Sequence, residues 1–539
     1  MPSLSRSFDS PLTPADQALA NLGYQNELKR TLSIWTVLGL QVALIMNPHT
    51  SVAIMAVPYG LSTTLYITLI NGQSVTMLWG WVFVTLVSIC IAASLAEICA
   101  VYPTAGGPYF WAAMVSTKKY APVASWITGW LNLAGNFLVT TSINFGGAQV
   151  VLSAATLWHG DFVPTAWQTI LAFVGFTIFA AAVNIFGSRF LNAINVAAML
   201  WITASIIVLA AVLLSMAEER RPASFVFANY DASASGWPTG WSFFVGFLQG
   251  GYVMLGYGMV ASLCEEVENP HLQVPRAMVI SVVVSGLIGL VYLVPVLFTL
   301  PDIASLLAVT SNQPVGIMFK MITGSDAAAL GLLLLLIVMY IFCSIGAFTA
   351  SSRYTYAFAR DGAIPYHQLW SRINKKLEMP LWAMLLNVIV NILLGLIYFG
   401  SSAAFNSFTG TATICLSTSY AAPILILLLR RRKPVSGSCW SLRPFGFIIN
   451  LISVMWIFFS IILFCMPVAL PVTASTMNYS SVVFTGFAVV SLVWYIIYGR
   501  THYKGPVASI EEVHVSGLEV YESQPDSLVE EGKKCSLAA

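Results

Sequence analysis

Charge is what this sequence has least of. Only 9% of its 539 residues are Asp, Glu, Lys or Arg, whereas soluble globular chains carry roughly 25%. A water-soluble protein of this length has too much surface to clothe with so few charges. The net charge is +2, and no basic patch falls in a soluble segment, so the footprint of a nucleic-acid binder is missing too. Cysteine offers no framework. None of the eight forms a CxxC pair, and Cys90, Cys99, Cys264, Cys343, Cys415 and Cys465 lie in or beside apolar runs. There a thiol acts as a small hydrophobe, so neither a zinc site nor a set of disulfides is expected, and no cofactor or metal. Histidine is scarce as well. His159, His271, His367, His502 and His514 fall in loops or the tail, in no HxxxH or HExxH spacing. A membrane enzyme would need convergent nucleophile, base or metal ligands inside the apolar segments, and the sequence offers no such set.

What it has instead is length of apolar chain. Hydrophobic residues make up 58%, and the mean hydropathy is +0.81. Runs of about 20 residues, enough to cross a bilayer, recur from Ser33 to Tyr498. The expectation is an all-α polytopic membrane protein with twelve helices. They are placed at 32–58, 75–100, 122–152, 166–186, 190–216, 241–264, 277–300, 327–358, 381–399, 404–429, 445–468 and 480–499. Residues 1–31 form a polar N-terminal tail without the short h-region of a signal peptide. Residues 501–539 form an acidic, small-residue-rich tail expected to be disordered. Asn478-Tyr479-Ser480 is a weak glycosylation sequon close to the last span.

Basic residues set the orientation. With the N-terminus inside, the inner segments hold Arg6, Lys29, Arg30, Lys118, Lys119, Arg189, Arg276, Arg360, Arg372, Lys375, Lys376, Arg443 and the Arg430–Lys433 run, and the outer loops hold only Arg220, Arg221 and Lys320. Both tails are therefore expected in the cytoplasm, with an even number of spans.

Two spans are interrupted. The first reads QVALIMNPHTSVAIMAVPYG around Asn47-Pro48-His49. Pro48 has no N–H to donate and clashes with the preceding turn, while Asn47 suits a helix cap and Pro48 a first helical position. The helix is expected to stop near Met46 and restart at Pro48, leaving the N–H groups of His49, Thr50 and Ser51 facing a cavity. A simple proline kink is the alternative. The sixth span carries glycines at 246, 250, 251, 256 and 258. These favour local unwinding, or else close packing of helices. Breaks in spans one and six point to an inverted-repeat transporter.

Four segments carry a family resemblance: SLAEICAVYPTAGGPYFW at 94–111, ITGWLNLAGNF at 127–137, EEVENPHLQVPRAM at 265–278 and SSRYTYAFARDGAIP at 351–365. From Leu32 to Arg500 the chain resembles the amino acid–polyamine–organocation transporters, closest to the fungal GABA/choline-type permeases. The resemblance implies a LeuT-like five-plus-five inverted repeat, with repeats at about 32–216 and 241–430 and two additional helices. It also implies alternating access, with the solute at the breaks of helices one and six. The candidate binding set is Met46, Asn47, His49, Thr50, Ser51, Tyr252, Gly256, Tyr257 and Gly258, the tyrosines offering rings to a cationic nitrogen. Glu97, Glu265, Glu266 and Arg276 are the candidate cytoplasmic gate.

Two departures matter. The Gly-rich break of relatives is replaced in helix one, and Gly258 stands where several relatives place an acid. The implied function is a secondary transporter of a small amine-containing solute, an amino acid or GABA-like compound, with protons as a possible co-substrate. A choline-like cation, or a precursor or product of a specialised pathway, is the alternative cargo, and a non-transporting nutrient sensor the alternative class. Without an acid at Gly258, zwitterions rank first, choline-like cations second and polyamines last. The plasma membrane is the expected location, an internal membrane such as the vacuolar one the alternative.

Overall fold

The computed structural model describes residues 56–506 apart from 159–161, 268, 310–312, 375, 378, 400–403, 437, 439 and 474–476. Met46, Asn47, His49, Thr50 and Ser51, with nearly all of the expected first span, lie outside the described residues.

Among the described residues the chain is helical and contains no strand, and eleven helices are long and apolar enough to cross a membrane. The elements used below are α1 (Val57–Thr63), α2 (Leu65–Ile70), α3 (Gln73–Val101), α4 (Pro108–Val115), α5 (Ala121–Trp158), α6 (Ala166–Phe186), α7 (Leu191–Met216), α8 (Thr239–Val245) and α9 (Leu248–Val253), followed by a 3₁₀ segment over Met254–Glu266. Then come α10 (Pro270–Phe298), α11 (Asp326–Arg360), α12 (Leu381–Gly395), α13 (Ala404–Leu429), α14 (Gly446–Phe464) and α15 (Ser480–Trp494).

Helix α5 is the hub. Its 38 residues extend about 57 Å at 1.5 Å per residue, well beyond the roughly 30 Å hydrocarbon core of a bilayer, so it has to tilt or project. It packs against α4, α11 and α13, and small residues allow the approach. A Cβ on Gly129 would lie 2.2 Å from the Phe358 ring, and one on Gly147 2.2 Å from Tyr340. Helix α3 pairs with α10 in the same way, Gly289 resting on Trp81. Helix α15 and the π-helical turn after it (Tyr495–Gly499) are the opposite case: Val482, Val489, Val490, Leu492, Val493, Ile496 and Ile497 are all exposed. An apolar surface of that size suits lipid rather than water.

Several boundaries differ from expectation. The stretch between the first two expected spans is helical, forming α1 and α2, with a break at Thr64. The cause is local. Ser62, Thr63 and Thr64 send their hydroxyls back to the carbonyls of Pro58 and Gly60, a pattern that bends helices and competes with the next turn. Helix α10 starts at Pro270, seven residues ahead of the expected 277, because a proline suits the first helical position and Asn269 takes a left-handed turn before it. The C-terminal tail also begins later than expected: Tyr503 is buried and shares a 2.8 Å hydrogen bond with Ser125.

The sixth span is broken twice. Helix α8 ends at Val245, α9 ends at Val253, and thirteen residues of 3₁₀ helix follow. Runs of 3₁₀ longer than 3–4 residues are uncommon, and glycines 256 and 258 lie inside this one. Gly246 faces Thr76, Gly250 faces Val84 and Gly251 faces Phe464 at distances that leave little or no room for a Cβ. Close packing accounts for these three glycines, and unwinding for the segment that follows them.

Candidate functional site

The start of α1 and the broken sixth span meet around a cavity of about 40 Å³. On the first side stand Ala56, Tyr59 and Gly60, at the start of α1; on the second stand Tyr252, Val253, Leu255, Gly256 and Met259. Helices α5 and α11 close the remaining walls with Val139, Ile143, Cys343 and Ala347. Gly60 is required by the contact between the two segments, since a Cβ there would lie 2.9 Å from Val253 Cγ2.

The polar groups of the walls are hydroxyls. Tyr59 donates to the Ile143 carbonyl at 2.6 Å and stacks on Tyr340 with ring centroids 5.6 Å apart. Tyr252 shares a 2.7 Å hydrogen bond with Ser142 on α5. Behind Tyr340, the amide oxygen of Asn144 accepts from Ser344 at 2.5 Å, while its buried Nδ2 has no partner among the described residues. No carboxylate and no cationic side chain lines the cavity among the described residues. The described walls offer a solute ring faces, hydroxyls and unwound backbone, and no fixed charge.

Of the candidates read from sequence, Tyr252 and Gly256 line this cavity. Tyr257 and Gly258 turn toward α13: Tyr257 packs on Tyr420 at 5.4 Å, and a Cβ on Gly258 would lie 2.3 Å from the same ring. Position 258 therefore has no room for a side chain beside Tyr420 and does not line the cavity. Sequence reading missed Tyr59 and Gly60. The signal was present as Pro58 and Gly60 ahead of the Ser62-Thr63-Thr64 cluster, but Asn47-Pro48 is the more conspicuous interruption.

At one end of the bundle, buried ion pairs tie the helices together. Glu97, at the end of α3 and fully buried, meets Arg432 at 2.5 Å and accepts the Leu442 N–H at 3.0 Å. Glu265, at the end of the 3₁₀ segment, is held by both terminal nitrogens of Arg360, at 3.0 and 3.3 Å. Two parallel charge-assisted bonds of this kind fix geometry as well as charge. Its partner is Arg360, 95 positions away in sequence, and not Arg276; the side chain of Glu266 lies outside the described ones. Tyr109 donates to Asp361 at 2.8 Å, and Arg430 caps the carbonyls of Val115 and Ser116 at 3.0 and 3.1 Å.

Among the described residues, the other end holds no buried ion pair. Asn71, after α2, donates to the carbonyls of Ile67 and Val468 at 2.9 and 3.0 Å. The Ser242 hydroxyl joins Asn71 Oδ1 to Ser235, each at 2.9 Å. Asp231 sits at the rim, where Ser233 and Gln73 bond its carboxylate and hold its pKa below the ordinary value. The sequon reading at Asn478 does not fit the fold: the residue is buried, and its amide donates to the carbonyls of Phe464 and Met466 at 2.7 and 2.9 Å.

Membrane-spanning helices around a cavity at a broken span, with a closure at either end, are the architecture of a solute carrier. The chain belongs to the amino acid permease family, whose sequence pattern matches residues 32–488. It is 31% identical to the amino-acid permease BAT1 of Arabidopsis thaliana, over 94% of this chain and 98% of that protein. It is 31% identical to the polyamine transporter TPO5 of Saccharomyces cerevisiae, over 89% of this chain and 77% of that one. Against the choline transporter of the same yeast the identity is 28%, over 95% and 88%.

Proposed function

We propose that this protein is a secondary transporter of a small zwitterionic amine, an amino acid or GABA-like compound, that binds between α1 and the Tyr252–Met259 stretch and crosses by alternating access. The observation that carries the reading is the cavity itself: the start of α1 and the broken sixth span wall a space lined by tyrosine hydroxyls, with no charged side chain among the described residues. Burying an unpaired charge is far costlier than burying a hydrogen-bonded polar group. A multivalent cation finds no counter-charge on the described walls, whereas a zwitterion carries its own. The relatives span amino acids, polyamines and choline in their names, so the uncharged lining is what discriminates among them. A proton travelling with the solute is part of the reading, as is an orientation in which the ion-paired end faces the cytoplasm. Arg360, Arg372, Arg430, Arg432 and Arg443 all gather near that end, as the inside bias of basic residues requires.

The test is uptake by permease-deficient cells expressing the chain, with unlabelled competitors. Excess GABA or neutral amino acids should block uptake more strongly than equal spermidine. Strongest competition by spermidine would show acidic partners in the pocket and overturn the reading.

A further inference from the structure

A second cavity lies away from the solute site, at the ion-paired end, where the chain leaving α11 meets the last helix. It measures about 340 Å³, within the range of small-molecule sites. Tyr366, His367, Gln368 and Arg372 form one side; Trp494 and Tyr498, at the end of α15, form the other. No carboxylate lines it among the described residues. Arg372 uses its Nε on the Gln368 carbonyl at 3.1 Å and is exposed, so its terminal nitrogens are available to an anion.

The surroundings select the kind of anion. Trp494, Tyr498 and His502 stack one above another, with centroids 5.1 and 4.5 Å apart. This ladder of rings marks the level where a spanning helix leaves lipid for water. Before and between these rings, α15 and the π-helical turn after it present Val489, Val490, Val493, Ile496 and Ile497 outward; exposed Arg500 and Lys504 flank the last ring, His502. The cavity therefore opens on both the acyl region and the headgroup region. Tyr366 holds its ring 81% exposed beside it from a left-handed backbone, φ 55°, a conformation that a non-glycine residue adopts at a cost.

We propose that this cavity binds an anionic phospholipid, with the headgroup phosphate on Arg372 and His367 and the acyl chains along the apolar face of α15. A basic pocket at the cytoplasmic edge of a spanning helix is suited to such headgroups. The site is separate from the solute cavity and would tie the loop after α11, which carries Arg360 of the inner ion pair, to the last helix.

The test uses the full chain in nanodiscs of phosphatidylcholine with a minority of phosphatidylinositol, followed by detergent washing and mass spectrometry of the lipid that stays bound. The native chain should retain phosphatidylinositol. Arg372→Gln should lower its apparent affinity about fivefold, while Lys320→Gln, an exposed lysine at the opposite end, should leave retention unchanged. Tyr498→Leu, which removes the ring but no charge, should also weaken retention. Soluble inositol phosphate at equal concentration should not displace the lipid. Equal retention by Arg372→Gln and the native chain would overturn the proposal, and full displacement by soluble inositol phosphate would reduce the site to one for free anions.

Discussion

The two ends of the bundle solve the same problem with different chemistry. Both must hold helices together now and release them during transport. One end uses full charges: Glu97 with Arg432 and Glu265 with Arg360, the carboxylates almost completely removed from solvent. The other uses neutral groups, with Asn71, Ser242 and Ser235 joined to the carbonyl of Val468. Gln73 and Glu97 lie on the same helix at these opposite ends, 24 residues and so about 36 Å apart. A buried ion pair is costly to break from one side only, because the surviving partner is left as a buried charge. A neutral hydrogen bond leaves less behind. The ionic end is accordingly a closure with a steep energetic edge, and the neutral end a softer one.

Single substitutions sharpen or break this contrast. The largest effect should come from Arg432→Ala, which strands a fully buried carboxylate. The expected destabilisation is about 3–5 kcal/mol, read as a lowered melting temperature of the purified protein. Asn71→Ala should cost less, about 1–3 kcal/mol, the penalty for leaving buried polar partners unpaired. If Asn71→Ala proves the more damaging of the two, the contrast between the ends fails. Lys320→Ala should do least. The Lys320–Asp326 pair is at 2.7 Å but about half exposed on both sides, and exposed pairs contribute about 0–1 kcal/mol. Its small effect should shrink further in high salt, whereas the Arg432 effect should not, since buried pairs are poorly screened.

The same contrast shows what a sequence can and cannot disclose. The long spans were legible because an apolar run of sufficient length has few alternatives: α5, α6, α11 and α12 fall within a few residues of their expected limits, apart from the six-residue extension of α5 to Trp158. The unwinding of span six was legible from glycine density. Glu97 and Glu265 were legible as helix-end carboxylates, but their partners were not. Arg432 and Arg360 are distant in sequence, and only the packing of α3, α11, α13 and the 3₁₀ segment brings them together. Tyr59 and Gly60 were hidden for a related reason. Nothing in Val57-Pro58-Tyr59-Gly60 states that Val253 will press against it, and the stretch reads equally well as the end of an ordinary span.

The central claim is that solute occupies the cavity between α1 and the Tyr252–Met259 stretch. Cys343 lines that cavity, which makes the native thiol a reporter. In a chain whose other cysteines are replaced by alanine, the rate at which a membrane-permeant maleimide alkylates Cys343 is measured with and without a transported solute. The account predicts that GABA or a transported neutral amino acid slows alkylation several-fold, with spermidine much weaker. Identical rates with and without a solute that the protein demonstrably transports would place the binding site elsewhere.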